Sequence, residues 1–480
     1  MEKTIDPAIQ GTALKENKTP SSSKKLYVES YGCAMNFSDS EVVAAILAKE
    51  GFQTTQELEG ADLVLINTCS IRDKAEQTVR KRLEKFQAVK RSHPQMKVGV
   101  LGCMAERLKK KLLEESKIVD MVVGPDAYKD IPNLLKEVEA GREAVNVILS
   151  KEETYGDISP VRLATNRITA FVSITRGCDN MCTFCVVPFT RGRERSRDPQ
   201  SILQEISDLW EAGYKEITLL GQNVDSYLWY GGGLKKDFSK ASEMEQATAM
   251  NFSELLAKVA TTFPQMRIRF STSNPQDMTL EVVKTMAKFP NICKHIHLPV
   301  QSGSNSILKA MNRQHTREEY MALVDHIKAI IPDCVISQDM IIGFPNETLQ
   351  DHQDTMSLME YIKYDFGYMY KYSDRPGTAA GKNLEDNIPE ATKASRLAEI
   401  VALQRKHSAL NTQSRVGKIE QVLVEGISKK STQELMGRNQ YNAVVVFPKE
   451  NYAIGDLVNV LITDCTSGTL IGVPKGFSTL

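Results

Sequence analysis

The chain has no net charge of either sign: 60 Lys and Arg balance 60 Asp and Glu. That excludes a globally basic nucleic-acid binder and leaves local patches as the electrostatic route to RNA. Long apolar runs are also missing, since nothing approaches the roughly 18 residues needed to span a bilayer. The opening MEKTIDPAIQGTALKENKTPSSSKK carries no apolar segment of the kind that begins a secretory signal. Residues 1–23 therefore read as a polar, mobile tail, and the chain is expected in the cytoplasm without membrane contact. There, cysteines are more often metal ligands or catalysts than disulfide partners. The absence of a fixed-period repeat excludes a solenoid. What remains, with 41% hydrophobic and 25% charged residues over 480 positions, is an ordinary globular protein of roughly three domains.

Three stretches of different grain are present. Residues 24–146 alternate strand and helix patterns. KKLYVESYG, ADLVLINT, MKVGVLG and IVDMVVG read as strands, with SDSEVVAAILAKEG, DKAEQTVRKRLEKFQAVK, ERLKKKLLEES and AYKDIPNLLKEVEAG as helices. This is the pattern of a doubly wound parallel sheet, which binds ligands at the carboxyl edge of its strands. Within a middle domain expected over 155–412, residues 166–375 repeat the alternation, with ITAFVSIT, YKEITLLG, MRIRFSTS, KHIHLPV, VISQDMIIG and FGYMYKYS as strands. Six such units predict a partial (β/α)6 barrel with its site at the carboxyl ends of the strands. The Gly-rich, polar stretch over 229–250 is expected to be a mobile loop near the barrel mouth. A helix through NIPEATKASRLAEIVALQRKHSALN leads to residues 413–480. There KIEQVLVEGI, QYNAVVVF and DLVNVLITD predict a small β-barrel.

Six of the nine cysteines fall into two sets of three. Cys178, Cys182 and Cys185 form a CxxxCxxC just after the first barrel strand. Thiolates are soft ligands for zinc or iron–sulfur clusters. Structural zinc takes four closed ligands, and no fourth Cys or His lies nearby to close such a site. Three thiolates can hold three irons of a four-iron cluster and leave the fourth open to bind S-adenosylmethionine (SAM) through its amino and carboxylate groups. Cys33, Cys69 and Cys103 each follow a strand, at spacings of 36 and 34 residues, so they converge on one sheet edge. The competing reading is three buried core thiols, but a core thiol would sit inside the strand rather than beyond it.

Cys293, Cys334 and Cys465 show no partner pattern and read as buried structural thiols. His295 and His297 alternate beside Cys293 and read as packing or supporting residues rather than ligands. In TRGRERSR, Arg191, Arg193, Arg195 and Arg197 alternate. An extended segment would point them to one side, as an anchor for RNA phosphates; the competing reading is a solvated loop paired with Glu194. Lys429, Lys430 and Arg438 are further phosphate-contact candidates. Tyr441 and Phe447 could stack bases, although strand aromatics are more often core.

The segment around CxxxCxxC resembles the radical SAM superfamily. Phe184 matches the aromatic that packs near the SAM adenine, and LLGQNV (Gly221, Gln222, Asn223) falls where that family binds the SAM amino group. FSTSNP (Ser271, Ser273), LPVQSGS (Gln301, Ser302, Gly303) and QDMIIGFPNET (Asp339, Gly343, Pro345) match family segments around SAM. With YGCAMN, NTCSIR and LGCMAE, residues 24–478 resemble the radical SAM methylthiotransferase family, and GRNQYNAVVVF is similar to the TRAM domain, a small RNA-binding β-barrel. YGCAMN is closest to the tRNA branch that makes 2-methylthio-isopentenyladenosine, with Ala34 where that branch usually has Gln. The resemblance implies two 4Fe-4S clusters, one on each triad, and SAM as both radical source and methyl donor. It implies transfer of a methylthio group to C2 of isopentenyladenosine beside the tRNA anticodon; the alternative substrates are threonylcarbamoyl-adenosine in tRNA and a ribosomal-protein aspartate. The implied partners are a tRNA anticodon stem-loop, an external low-potential electron donor and a sulfur source; the chain itself is expected to be a monomer. Two clusters serving one substrate require the N-terminal sheet edge to face the barrel mouth.

Overall fold

Strands β1 (Lys24–Ser30), β2 (Phe52–Thr55), β3 (Leu63–Thr68), β4 (Lys97–Gly102), β5 (Met121–Val123) and β6 (Ala144–Asn146) form one parallel sheet, in the order β2-β1-β3-β4-β5-β6. The computed structural model describes residues 11, 13, 24–69, 73–163 and 166–479; the expected tail at 1–23 lies outside them except for Gly11 and Ala13. Four strands match the sequence patterns. The additions, β2 and β6, are the sheet's edges, of four and three residues, too short to imprint a period. Strand order reverses between β1 and β3, so their carboxyl ends form a topological switch point. β3 is buried along its whole length, as expected of a strand covered on both faces.

One face of this sheet is covered by the helices Asp73–Ser92 and Cys103–Leu108 and the other by α1 (Ala34–Lys49) and the helix Ile131–Glu139. Fourteen of the sixteen residues of α1 are buried, polar ones included, because α1 is packed from both sides. Its outer side meets the central domain, where Phe37 contacts Phe171 edge-on at 6.1 Å. Glu41 accepts there from Arg162 (2.9 Å) and from the Leu163 N–H (3.0 Å).

The central domain contains all six expected strands: Thr169–Ser173, Glu216–Leu220, Arg267–Ser271, His295–His297, Val335–Ile342 and Phe366–Lys371. They form two parallel hydrogen-bonded triplets, joined by a bridge between Ile268 and Ile292 and by the Ser273 N–H on the His297 carbonyl (3.1 Å). The result is an open barrel around one large apolar core, with a smaller cluster of Ile307, Met311, Phe344, Tyr372 and Ala380 beside it. The 229–250 stretch departs from the expected loop. It is built from a strand pair, Leu228–Trp229 with Met250–Asn251, a 3-10 turn at Lys235–Lys240 and a helix at Glu243–Ala247 with a Ser242/Glu245 capping box. Tyr230 packs at 5.3 Å on Phe238, and the Lys235 N–H bonds the Glu194 carbonyl.

The C-terminal strands Ile419–Ile427, Glu434–Asn439, Val444–Pro448, Leu457–Cys465 and Thr469–Phe477 close into a five-stranded barrel. Burial alternates along Glu434–Asn439 and Val444–Pro448, the period-2 pattern of strands with one wet face. The barrel is fastened to the central domain. Arg267 and Arg269 donate to the Arg438 and Asn439 carbonyls (2.9 and 2.6 Å), the Lys294 N–H donates to the Gln440 carbonyl (3.0 Å), and the Tyr441 hydroxyl donates to Asp333. Among the described residues no helix is long and apolar enough to cross a membrane.

Candidate active site between the sheet edge and the barrel mouth

The dispersed triad is assembled by strand ends. Cys33 follows β1 and caps α1, Cys69 follows β3, and Cys103 follows β4 as the first residue of its helix. A side-chain clamp holds two of these turns together. Asn36 donates to Asn67 Oδ1 and to the Thr68 carbonyl (both 3.0 Å), while Asn67 donates back to the Asn36 carbonyl (2.8 Å). Gly32 has φ +120°, and a Cβ there would lie 2.3 Å from the Cys69 Cβ; only glycine lets the first and second thiols approach.

The contiguous triad is built by one loop. Gly177 has φ +77°, and a Cβ would lie 2.1 Å from the Arg193 carbonyl oxygen, so the chain can double back before Cys178. The Cys178 N–H bonds the Gly192 carbonyl, and the Cys185 N–H bonds that of Cys182. Thr183 ties the loop to the barrel through the Met311 and Ala310 carbonyls. Arg313 Nη1 donates to Cys182 Sγ at 3.6 Å.

All six thiols line one cavity of about 870 Å³ between the two domains. The sheet edge thus faces the barrel mouth. Phe184, Gly221, Gln222, Asn223, Ser271, Ser273, Gln301 and Asp339 line the same cavity. Ser302, Gly303, Gly343 and Pro345 stand outside its lining: Gly303 packs on Thr355, and Gly343 packs on Lys393. Ser337 Oγ lies 2.9 Å from a ring nitrogen of both His295 and His297, which serve as supports behind the wall.

The thiols match a cluster better than a single ion. Each triad supplies three soft thiol donors, and both triads face the common cavity. Burial pushes the Cys185 thiol up to about 12 and raises Cys178 and Cys103. As thiolates they therefore need a bound cation, which an iron cluster supplies. Cys33 differs: its contact with Cys69, the Arg191 charge and the N–H groups opening α1 lower it below its usual value against burial. Around the rest of the cavity, Gln222 Oε1, Asn223 Oδ1 and Arg313 Nε are buried without hydrogen-bond partners among the described residues. Buried polar atoms normally have partners, so these mark where a polar ligand such as the amino-acid end of SAM fits.

The alternating arginines are a correction. Arg191, Arg195 and Arg197 are buried and do not form an outward strip. Arg191 lies 2.9 Å from Asp39, Arg195 lies 2.5 Å from Asp126, and Arg197 pairs with Glu205. Arg193 alone of the four is partly exposed, 3.3 Å from Asp179. Alternation failed as a guide because the segment turns at Gly192 (φ +71°) instead of staying extended. Nor does the competing pairing hold: Glu194 accepts from Ser226 and lies 3.6 Å from Lys235. Arg438 is paired with Glu425 (2.6 Å), whereas Lys429 and Lys430 are exposed. Phe447 is barrel core, and Tyr441 is buried against Asp333. Cys293 and Cys334 are buried as expected, but Cys465 is only half-buried.

Sequence reasoning missed Arg313, Asp39 and the Asn36–Asn67 clamp. YGCAMN and NTC carry the two asparagines at their ends, a signal that was available; nothing around Arg313 or Asp39 sets them apart.

Three family profiles match the chain: UPF0004, an uncharacterized protein family, over residues 25–124; the Radical SAM superfamily over 172–359; and the TRAM domain over 413–475. A protein of Flavobacterium johnsoniae named tRNA-2-methylthio-N(6)-dimethylallyladenosine synthase is 71% identical over 480 residues, covering 100% of both chains. A protein of the same name from Bacteroides fragilis is 52% identical over 457 residues, covering 95% of this chain and 97% of its own. Among solved structures, the radical SAM methyltransferase TsrM of Kitasatospora setae, with cobalamin and a [4Fe-4S] cluster bound, superposes with TM-score 0.53 at 13% identity. The match covers 75% of this chain and 74% of that one, and it shows a shared fold. The chain belongs to the family of the tRNA-2-methylthio-N(6)-dimethylallyladenosine synthases, radical SAM enzymes with an N-terminal UPF0004 region and a C-terminal TRAM domain.

Proposed function

We propose that this chain is a radical SAM methylthiotransferase that adds a methylthio group to C2 of isopentenyladenosine beside the anticodon of tRNA. One observation carries the reading: both cysteine triads and eight of the twelve residues expected around SAM line a single cavity. The cofactors are two 4Fe-4S clusters and SAM, which when bound supply radical generation at one triad and sulfur delivery at the other.

Each residue then has a task. Cys178, Cys182 and Cys185 hold the cluster that meets SAM; Cys33, Cys69 and Cys103 hold the sulfur-bearing one. Gln222 and Asn223 offer oxygen acceptors to the SAM amino group, Arg313 offers a donor to its carboxylate, and Phe184 packs against the adenine. Gly221, Ser271, Ser273, Gln301 and Asp339 complete the walls. Lys429 and Lys430 meet tRNA phosphates. All six thiols come from one chain, which suits a monomer. Electrons and sulfur come from outside donors, and tRNA places the work in the cytoplasm. We divide the chain into three domains, 24–146, 155–412 and 413–480: the last two have apolar cores of their own, while one core of the N-terminal sheet also takes in Tyr155, Ile158, Leu163 and Leu220.

Nucleoside mass spectrometry of tRNA from a strain lacking the gene tests the substrate. The expected result is loss of 2-methylthio-isopentenyladenosine with accumulation of isopentenyladenosine, reversed by the restored gene. Unchanged 2-methylthio-isopentenyladenosine, with loss of the methylthio group from threonylcarbamoyl-adenosine or a ribosomal protein, would move the chain to another branch.

A further inference from the structure

Arg191 occupies a position that RNA binding does not explain. It lies six residues past Cys185, yet its Nε donates to Sγ of Cys103, in the other triad, at 3.2 Å. Its Nη2 lies 2.9 Å from Oδ2 of Asp39, and Oδ1 of the same carboxylate lies 2.7 Å from Arg176. Arg176 also lies 3.6 Å from Asp126, which pairs with Arg195, so three arginines share two carboxylates and positive charge is left over beside Cys103. Nη1 of Arg191 is buried without a hydrogen-bond partner among the described residues, and the side chain lines the common cavity. A buried cationic donor left unpaired is costly, so an acceptor belongs there. In a cavity walled by thiols, the matching acceptor class is sulfur.

We propose that Arg191 is a positioning residue that raises the reduction potential of the cluster on Cys33, Cys69 and Cys103, through its Nε–H bond to the Cys103 sulfur and its buried charge. The inference rests on assigning a four-iron cluster to that triad. Reduction adds negative charge to a cluster. A cation in a poorly solvated site favours the reduced form, and so does an N–H aimed at a ligand sulfur; hydrogen bonds to sulfur are among the determinants of such potentials. The bond also crosses from the central domain to the N-terminal sheet, so the same residue registers one triad against the other.

The test uses the full-length chain with Cys178, Cys182 and Cys185 replaced by Ala and reconstituted anaerobically, so that the dispersed triad alone carries iron. The midpoint potential is read by redox titration followed by electron paramagnetic resonance. Arg191→Met, which removes charge and donors at similar length, is expected to shift the midpoint negative while about four irons per chain are retained. Arg191→Lys keeps the charge and is expected to shift it less. Asp39→Asn, which removes the opposing anion but keeps an acceptor for Arg176, Arg191 and Tyr128, is expected to shift it positive in the fraction that retains iron. In the complementary background, with Cys33, Cys69 and Cys103 replaced, Arg191→Met leaves the midpoint of the other cluster in place. An Arg191→Met chain with full iron and an unmoved midpoint overturns the proposal, as do equal shifts in both backgrounds. Loss of iron from both the Met and Lys variants assigns Arg191 to holding the fold and overturns the tuning role. A parent without iron in the first background overturns instead the cluster assignment beneath it.

Discussion

The two cysteine triads reach one cavity by opposite routes. Cys178, Cys182 and Cys185 lie within eight consecutive residues on one loop, so local backbone geometry nearly suffices to bring them together. Cys33, Cys69 and Cys103 are separated by whole βα units, and their site exists only after β1, β3 and β4 have paired. A contiguous site can tolerate a loosened domain; a dispersed site depends on the sheet, on the Asn36–Asn67 clamp and on the ion pairs behind it. The chemical tasks divide the same way. The loop triad is flanked by Phe184 and Arg313 and the sheet triad by Arg191 and α1, although all of them line the same cavity.

The strongest way to break this comparison is to remove each triad in turn. Wild-type protein reconstituted anaerobically is expected to hold about eight irons per chain. Replacing Cys33, Cys69 and Cys103 together should halve the iron, abolish methylthio product and leave 5′-deoxyadenosine formation in place. Replacing Cys182 with Ala should abolish 5′-deoxyadenosine itself. Iron analysis and product chromatography check both. Deoxyadenosine persisting in the Cys182→Ala chain would undo the division of labour.

Asp39 sharpens the contrast at the level of stability. It is fully buried between Arg176 and Arg191 and accepts from the Tyr128 hydroxyl at 3.3 Å. Removing one member of a buried ion pair leaves uncompensated charge and costs about 3–5 kcal/mol. Asp39→Ala is therefore expected to lower the urea midpoint strongly and to empty the dispersed triad first, with the loop triad retaining its iron. Equal depletion of both triads would show that the two sites stand or fall together.

That dependence also explains what could be read in the sequence. CxxxCxxC is legible because its spacing is the site. The dispersed triad was legible at one remove: hydrophobic runs located the strands, and parallel topology then brought the residues after them together. Six barrel strands and the small C-terminal barrel were visible for the same reason. Asp39 and the arginines were not, because their partners lie far away in sequence. Asp39 meets Arg176 across 137 positions, and a single sequence carries no trace of such pairings. Charge alternation in TRGRERSR suggested a surface, but the fold turns that segment inward onto Asp39, Asp126 and Glu205.

A smaller effect separates the triads by pH. Glu194, just behind the loop triad, is pushed up to about 7 by burial, against the pull of Lys235 and Ser226. The folded chain holds a proton there that the unfolded chain releases near 4.5. Its contribution to stability is thus complete below about pH 4.5 and is lost as pH rises through about 7. Glu194→Gln fixes the neutral form, so the variant should lose this pH dependence. At pH 8 it should be more stable than wild type by about 2–3 kcal/mol. Urea unfolding at pH 5 and pH 8 checks the sign, and iron on the dispersed triad should not respond.

Docking of substrate should be indifferent to which triad is which. Lys429 and Lys430 project from the turn between the first two strands of the C-terminal barrel and are exposed. Every cation withdrawn from a phosphate lowers the salt dependence of binding by a slope of about 0.7–0.9. The double change to Ala should therefore weaken tRNA binding by about three- to tenfold at moderate salt and flatten its salt dependence by about 1–2. The iron of both triads and 5′-deoxyadenosine formation without tRNA should stay as they were. Arg195→Ala is the counterpart, because its guanidinium faces Asp126 and the Glu153 carbonyl; it should cost stability and leave the salt slope unchanged. Salt titration of tRNA binding distinguishes the two. A reduced slope for Arg195→Ala, with none for the lysine pair, would return the RNA interaction to the segment beside the loop triad and make that triad, rather than the distant barrel, the place where tRNA is gripped.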